Sequence, residues 1–180
     1  MEVHDPSDEL VDHVDLRDEI IEVVNRRRMR AERLRHRAVF IVIRHTDGRL
    51  LVHRRSMDKD VWPGWYDIAV GGVVSSGESY DEAARRELAE EIGVDIVSTA
   101  IDQGVARAYD DESVSLFGRC YVAVHDGPFR FADGEVSEAW WVTGAELLAL
   151  RETSDFLPDS LALLSPLLDL SDLGDSHPST

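Results

Sequence analysis

Three kinds of feature are scarce in this chain of 180 residues: cysteine, basic residues after the first third, and long apolar runs. The single cysteine, Cys120, excludes an internal disulfide and a multi-cysteine metal site. It lies in an apolar run without a supporting constellation, so we predict a buried packing residue rather than a catalytic thiol. No apolar run is long enough to span a bilayer, and the first 15 residues are acidic rather than signal-like. We therefore expect a cytoplasmic protein with no membrane partner.

The net charge of −17 is unevenly distributed along the chain. Residues 1–60 hold 13 of the 19 basic residues and 13 of the 36 acidic ones, so the whole negative charge arises after residue 60. Such a field repels nucleic-acid backbones and free nucleotides alike. The composition therefore argues against a nucleic-acid polymer as partner. A polyanionic small molecule would need a metal ion and a local basic patch to bind.

The most informative segment is residues 72–94, GVVSSGESYDEAARRELAEEIGV. Its pattern is G-x5-E-x7-R-E-L-x-E-E-x-G-V, and the periodicity predicts a helix over its second half. At helical pitch Arg86 lies one turn before Glu90, and Glu87 lies one turn before Glu91. These four side chains share one side of the helix. An apolar stripe lies elsewhere on the helix and consists of Ala84, Leu88 and Ile92.

Like charges one turn apart destabilise a bare helix by a few tenths of a kcal/mol per pair, and a bound divalent cation would reverse that effect. Carboxylate oxygens suit Mg²⁺ or Mn²⁺, which stay partly hydrated and bridge to substrate phosphates. Gly72 and Gly77 suit a loop whose backbone approaches a ligand, and Gly93 suits a left-handed helix end. The alternative interpretation is a solvated helix face, as in most charge runs.

The segment resembles the signature of the Nudix hydrolase family and matches it at every position. The matching residues are Gly72, Glu78, Arg86, Glu87, Leu88, Glu90, Glu91, Gly93 and Val94. The resemblance implies a Nudix-type α/β/α sandwich (α+β) with a mixed central sheet. It also implies Mg²⁺- or Mn²⁺-dependent cleavage of a nucleoside diphosphate linked to another moiety. In that family the acids matching Glu87, Glu90 and Glu91 hold the metal, and the arginine matching Arg86 orients them.

From about residue 35 to residue 168 the chain is similar to the Nudix branch that contains type 1 isopentenyl diphosphate isomerases. In those enzymes an arginine and a lysine matching Arg55 and Lys59 contact the substrate diphosphate. A fork-like guanidinium suits phosphate oxygens, and lysine adds a mobile point charge. Strand alternation predicts that only one of Arg54 and Arg55 faces the site, and we assign Arg55. With Gly72, these residues form the predicted substrate-binding set.

Departures from the isomerases decide between two activities. Their catalytic cysteine matches Gly71, and a metal-binding histidine matches Val73. Glycine has no thiol and valine cannot bind a metal, so the sequence favours a hydrolase over an isomerase. Other isomerase site residues do have counterparts here: His36, Asp110 and Glu112. A third alternative, a non-catalytic nucleotide-binding module, is disfavoured because no signature acid is missing.

Hydrolysis also needs a residue that orients or deprotonates water. Glu91 is one candidate. The segment GEVSEAWW supplies two more, Glu135 and Glu138. The alternative interpretation of these two residues is that they are solvated loop charges. Nudix hydrolases often draw a base or an extra metal ligand from such a loop. The predicted catalytic set is Glu91, Glu90, Arg86 and Glu138.

The order of predicted elements gives one catalytic domain with two flanks. Residues 1–35 form an N-terminal extension, partly disordered over 1–8 and otherwise a β-hairpin that offers a route to a homodimer. Residues 36–170 form the Nudix domain, and residues 171–180 a disordered tail. Within the domain we predict a hairpin turning at Asp47–Gly48 and a late helix with Asp159 as its N-cap. The loop aromatics are assigned to the core in preference to a ring-binding surface: Trp62, Trp65 and Tyr66.

Overall fold

The computed structural model describes residues 5–58, 61–94, 101–102, 106–131 and 134–168. The strands are β1 (Leu10–Val14), β2 (Ile20–Asn25), β3 (His36–Arg44), β4 (Leu50–Arg55), β5 (Tyr66–Asp67), β6 (Val70–Val73), β7 (Ile101–Asp102), β8 (Ala106–Asp110), β9 (Ser115–Val124) and β10 (Val136–Val142). The helices are α1 (Arg26–Ala31), α2 (Tyr80–Ile92), α3 (Gly144–Thr153) and α4 (Pro158–Leu164). Short 3₁₀ turns lie at Pro6–Asp8 and Ser165–Leu167.

The strands form one mixed sheet organised around β3. Strand β3 pairs in parallel with β9 along its whole length and antiparallel with β6, and it contacts β1 and β4 at its ends. Strand β4 pairs with β10 and β5, while β9 carries β7 and β8. Seven of the nine residues of β3 are buried, as expected for a strand covered on both faces.

The predicted hairpin between β3 and β4 is confirmed at its turn, but the two strands do not pair along their length. Gly48 has a φ of 94°, and its N–H donates to the His45 carbonyl, closing the turn. Beyond it, one register pair, Arg44↔Leu50, joins the two strands. The strands then separate because β3 takes β6 and β9 as partners.

Helices cover both faces of the sheet, which confirms the predicted α/β/α sandwich. On one face α2 packs its apolar stripe, including Leu88 and Ile92, against Ile41 of β3. On the other face α3 and α4 contribute Leu147 and Leu163, among others. Cys120 is fully buried in this second cluster, as predicted, and burial raises the pKa of its thiol to about 11.

The N-terminal extension continues the sheet. Strands β1 and β2 pair antiparallel, and β1 reaches the central sheet through His13↔His36. The expectation of disorder over residues 1–8 is wrong for residues 5–8, where a 3₁₀ turn forms and Asp5 makes an ion pair with Arg27. Residues 1–4 and the predicted tail, 171–180, lie outside the described residues.

Helix α4 begins earlier than the sequence suggested. Its N-cap is Leu157, and Pro158 occupies the first helical position, where its fixed φ and missing N–H are tolerated. Asp159 is therefore inside the first turn and buried, so the prediction that it caps the helix is wrong. In the described part of the chain, none of the helices has the length and apolar character needed to cross a membrane.

Candidate active site

Helix α2 is held at both ends, and this fixes which residues face the sheet. The Ser79 hydroxyl accepts the Glu82 N–H, and the Glu82 carboxylate accepts the Ser79 N–H, forming a capping box. At the other end Gly93 adopts a φ of 67°, the left-handed conformation predicted for it. The apolar stripe then faces the sheet, and the side that carries Arg86 and the glutamates lies beside β6.

Arg86 is the centre of a carboxylate cluster. Its Nε and Nη2 donate to the two oxygens of Glu78, both at 2.9 Å. Its Nη1 donates to Glu87 at 2.7 Å and to Glu90 at 3.2 Å, and Nη2 also donates to the Val73 carbonyl. All five N–H donors of the guanidinium are therefore directed at oxygens. The acids raise the pKa of Arg86, chiefly through the hydrogen bonds with Glu78.

Glu87 is the buried member of the cluster. Burial raises the pKa of this carboxyl, while the neighbouring Arg86 opposes the rise. Its carboxylate occupies the space beside Gly72, where a Cβ would lie 2.3 Å from Oε1. The Glu87 carboxylate therefore occupies the space that a side chain at position 72 would fill, and Gly72 leaves that space open.

The other two predicted metal ligands are more accessible. The Glu90 side chain is mostly exposed, whereas Glu91 is half-buried and accepts the Gly71 N–H at 3.3 Å. Together with Arg86 and Glu87, both acids line a cavity of about 1020 Å³. The structure thus brings the three predicted metal ligands of the signature to the lining of one cavity.

These residues fit a hard divalent cation by their chemistry. They offer carboxylate oxygens, and the absence of a side chain at Gly72 leaves room for the one at Glu87. Among the residues that the structure describes, no three His, Cys, Asp or Glu side chains are already gathered closely enough to hold a metal ion. Arg86 instead bridges Glu87 and Glu90. Binding of an ion requires these carboxylates to turn from the guanidinium.

The two neighbouring arginines of β4 have different environments. Arg55 lines the cavity, and its Nη2 donates to the Val61 carbonyl at 3.2 Å. Arg54 instead donates to the Gly64 carbonyl and lies over the Tyr66 ring, 5.8 Å from its centroid. The alternation argument that selected Arg55 agrees with this placement. Lys59 lies outside the described residues.

The two candidate bases near β10, Glu135 and Glu138, lie in different environments. Glu135 lines the cavity, whereas Glu138 is exposed on β10, opposite Arg54, and is not among the described residues on the cavity wall. The structure therefore does not bring Glu138 to the signature acids. A bulge between Val136 and Glu138 shifts the register that alternation assumes.

Gly71 and Val73, the positions that separate isomerase from hydrolase, also line this cavity. A Cβ at Gly71 would lie 2.0 Å from the Val39 carbonyl oxygen, so this backbone has no room for a cysteine. His36 is buried on the wall with Nδ1 3.0 Å from the Leu34 carbonyl oxygen, and burial lowers its pKa to about 4. Asp110 instead forms an ion pair with Arg35, and neither it nor Glu112 is among the described wall residues.

Sequence reasoning missed several residues of the cavity wall. Asp67 and Asp159 are buried there, and burial followed by repulsion from Asp159 raises the pKa of Asp67 to about 7. No sequence signal marked Asp67, because a single aspartate after an aromatic residue is unremarkable. Trp62, assigned to the core, also lines the cavity and stacks on Trp65 at 6.2 Å.

The extension supplies a basic part of the same wall. Arg26, Arg30 and Arg33 all line the cavity. Arg26 pairs with Glu9 at 2.8 Å. These arginines bring positive charge to a cavity that Asp5 and Glu9 of the same extension also line.

Comparisons with known proteins agree with this geometry. The NUDIX domain family model matches residues 34–163. The chain is 40% identical over 159 residues to YfcD of Escherichia coli K12, an uncharacterised Nudix hydrolase, covering 88% of this chain and 86% of that protein. An uncharacterised Nudix hydrolase of Yersinia pestis is 41% identical over 157 residues, covering 87% and 84%. The crystal structure of DR0079 from Deinococcus radiodurans superposes with a TM-score of 0.75 at 30% identity, covering 93% of this chain and 100% of that one.

Proposed function

The chain belongs to the Nudix family of hydrolases, and we propose that it cleaves a diphosphate linkage with the help of Mg²⁺ or Mn²⁺. The substrate class that we propose is a nucleoside diphosphate joined to another moiety. The observation that carries this proposal is the cluster in which Arg86 bonds both Glu87 and Glu90, all three of which line one large cavity.

Glu87, Glu90 and Glu91 are the residues that would hold the metal ion. When bound, such an ion neutralises the charge that develops on phosphate oxygens as the P–O bond breaks. Arg86 positions these acids because its fork bonds both Glu87 and Glu90. Gly72 supports the arrangement by leaving room for the Glu87 carboxylate.

Substrate binding uses the cationic parts of the wall. We assign Arg55 to the diphosphate because its guanidinium lines the cavity, and Lys59 on the resemblance to the isomerases. Arg26, Arg30 and Arg33 add positive charge on the same wall. This local field is necessary because the chain as a whole carries a net charge of −17.

The chemical step is attack of water on phosphorus. A new P–O bond forms as the bridging P–O bond breaks, and a glutamate accepts the proton of the water. Glu91 and Glu135 both line the cavity and are the candidates that we retain. Replacing Glu135 with Gln should lower kcat by roughly 100-fold if it is the base, whereas the matched change Glu138→Gln should leave kcat unchanged. The opposite result would return the role to Glu138.

The direct test is a hydrolysis screen of nucleoside diphosphate derivatives with Mg²⁺ and with Mn²⁺, with the products identified. We expect metal-dependent release of phosphate-containing products by the wild-type protein. Glu87→Gln keeps the shape of the side chain but removes a charged ligand, and it should lose most of that activity. An inert wild-type protein, or a Glu87→Gln variant with full turnover at saturating Mg²⁺, would contradict the proposal.

Two alternatives remain testable. An isopentenyl diphosphate isomerase needs the thiol that Gly71 lacks, and Val39 leaves no space for one. Incubation with isopentenyl diphosphate should therefore yield no isomer. A non-catalytic nucleotide-binding module would bind without releasing phosphate, but this chain retains every signature acid.

We further propose that the protein forms a homodimer through the extension. Strand β2 ends the described path of the sheet, and it exposes Ile21 and Val23 to solvent. An open apolar edge is a template for pairing with another strand, and a second copy offers the same edge about a twofold axis. Val23→Lys should shift the mass measured by light scattering from dimer to monomer. A wild-type protein that is monomeric at high concentration would contradict this.

A further inference from the structure

The N-terminal extension is attached to the loop that opens the signature. This loop, residues 74–79, lies between β6 and α2. An antiparallel bridge joins Val11 of β1 to Ser75, and the Ser76 N–H donates to the Leu10 carbonyl at 2.8 Å. The extension therefore contacts the signature directly, in addition to lengthening the sheet.

Two adjacent serines of this loop donate their hydroxyl groups to acids of the extension. The Ser75 hydroxyl donates to Glu9 at 2.5 Å, and the Ser76 hydroxyl donates to Asp12 at 2.7 Å. Hydrogen bonds from a hydroxyl to a carboxylate are shorter and stronger than those between neutral groups. The loop is therefore joined to the extension by two comparable side-chain bonds.

Glu9 is fixed from its other side by Arg26, the first residue of α1. The Arg26 Nη1 atom donates to Glu9 Oε2, and the Arg26 N–H donates to the Glu9 carbonyl, both at 2.8 Å. Burial alone would raise the pKa of Glu9, but the hydrogen bonds from Ser75 and Arg26 hold it below its ordinary value. Glu9 is therefore a charged acceptor in a fixed position at neutral pH.

A continuous chain of hydrogen bonds leads from Glu9 to a signature acid. The Ser75 N–H donates to Glu78 at 3.1 Å, and Glu78 accepts two bonds from Arg86, both at 2.9 Å. Arg86 in turn donates to Glu87 at 2.7 Å. Ser75 is the link between the two segments, since its hydroxyl bonds Glu9 and its N–H bonds Glu78.

The two segments are also coupled by charge. The charge of Arg26 acts on Glu87, and the charge of Arg86 acts on Glu9. All four residues line the same cavity. Opposite charges attract more strongly in a partly shielded site than in bulk water. One ion pair from the extension and one from the signature therefore stabilise each other.

The neighbouring bond, from Ser76, follows a different route. Asp12 pairs with Arg37 of β3 at 3.4 Å, and Arg37 also pairs with Asp18 at 2.7 Å. In the part of the chain that the structure describes, none of these residues lines the cavity. Ser76 therefore resembles Ser75 in residue type, loop and acidic partner, but it joins the extension to the sheet instead of to the signature acids.

We propose that Glu9 is a positioning residue of the metal site, which acts through Ser75 and Glu78 to hold Arg86 in place. The extension is then a functional part of the site. This inference rests on the proposed function, because Arg86 matters here through the acids that it orients toward a metal ion. Those acids must turn from the guanidinium when the ion enters, so Arg86 must be held by other partners. Glu78 is one such partner, and Ser75 connects it to Glu9.

The test is binding of Mn²⁺ to the full chain, measured by electron paramagnetic resonance without substrate. Ser75→Ala removes the hydroxyl bond to Glu9 and keeps the N–H that bonds Glu78. We expect it to bind Mn²⁺ roughly three- to tenfold more weakly than the wild type, since the partners of metal ligands tune metal affinity. Ser76→Ala is the matched control. It should lower the melting temperature by a similar amount and bind Mn²⁺ as the wild type does.

Glu9→Ala tests whether both residues act through one bond. This variant should also bind Mn²⁺ more weakly, and adding Ser75→Ala to it should cause no further loss. Losses that multiply in the double variant, or equal Mn²⁺ affinity in Ser75→Ala and Ser76→Ala, overturn the inference and leave the proposed function intact. A wild-type protein that binds no Mn²⁺ overturns the inference and the proposed metal site together.

Discussion

Gly72 and Glu87 share a space with room for one side chain: a Cβ at Gly72 would lie 2.3 Å from the Glu87 Oε1 oxygen. The contact is between a strand and a helix, and both residues belong to the signature. The spacing of this glycine and this glutamate in the sequence therefore has a direct steric meaning. The glycine leaves the space in which the Glu87 carboxylate, a proposed metal ligand, lies.

Gly72→Ala should displace the Glu87 carboxylate. Because the clashing atoms are the far end of a flexible side chain, we expect a modest change in melting temperature and a loss in kcat/KM of about 10- to 100-fold. The shorter acid in Glu87→Asp leaves room for the methyl group. The double variant should then lose less kcat/KM than the combined losses of the two single variants. If the losses simply combine, the contact between the two residues is unimportant.

Arg86→Ala should destabilise the protein, because it leaves the buried Glu87 without its cation. We expect a loss of roughly 2–4 kcal/mol in the free energy of unfolding, measured by urea denaturation. Mg²⁺ should recover part of this loss if the carboxylates bind it. Arg85→Ala, at the exposed position just before Arg86, is the control and should have little effect. Equal stability of the two variants would refute the role of Arg86.

Arg55→Ala and Arg54→Ala form a matched pair of neighbouring changes. Arg55 lines the cavity, so its removal should raise KM for a diphosphate substrate about tenfold while the fold remains intact. Arg54 holds the Gly64 carbonyl and the Tyr66 ring, so its removal should lower the melting temperature instead. Steady-state kinetics with thermal melting separate the two effects, and a reversed pattern would contradict the assignment.

Asp67 should make stability depend on pH in an unusual direction. Its pKa rises from 3.8 to about 7 on folding, so between these values the folded state keeps a proton that the unfolded state has lost. Stability should therefore fall as the pH rises from about 4 to about 7, by roughly 4 kcal/mol at most, and then level off.

Asp67→Asn removes this titration and keeps an oxygen that accepts the Ala69 N–H. The variant should show a flatter stability profile from pH 4 to 7, with its largest gain over the wild type near pH 7. Asp155→Asn, at an exposed position, should preserve the wild-type profile. Parallel profiles for wild type and Asp67→Asn would disprove the origin proposed here.

Local patterns predicted several elements well. The spacing of Leu88, Ile92 and the glutamates located α2, and Gly93 ends the helix as predicted. These predictions succeed because helix phase and capping depend on residues within a few positions of one another. The same reasoning failed for Asp159. With Pro158 at the first helical position, the N-cap of α4 is Leu157, two residues earlier than predicted.

The pairing of distant strands could not be predicted from local sequence patterns. Strand β3 reads as half of a hairpin, yet its main partners are β6 and β9, which follow much later in the chain. Glu135 and Glu138 were equivalent by sequence, and only the structure shows that Glu135 lines the cavity. Pairing and register depend on packing across the sheet, which no local window contains.

The amino-acid sequence by itself determined the acidic helix, its glycines and the donor chemistry suited to a divalent ion, because those depend on residue type and spacing within one segment. Only the tertiary structure decided that Asp67, Asp159 and Ser160 meet on the wall shared by the signature acids. It also decided that the arginines of the extension face the same cavity. The reason is physical: burial and proximity between distant segments arise when the sheet and its covering helices assemble, and they set the pKa values of the side chains that line a site.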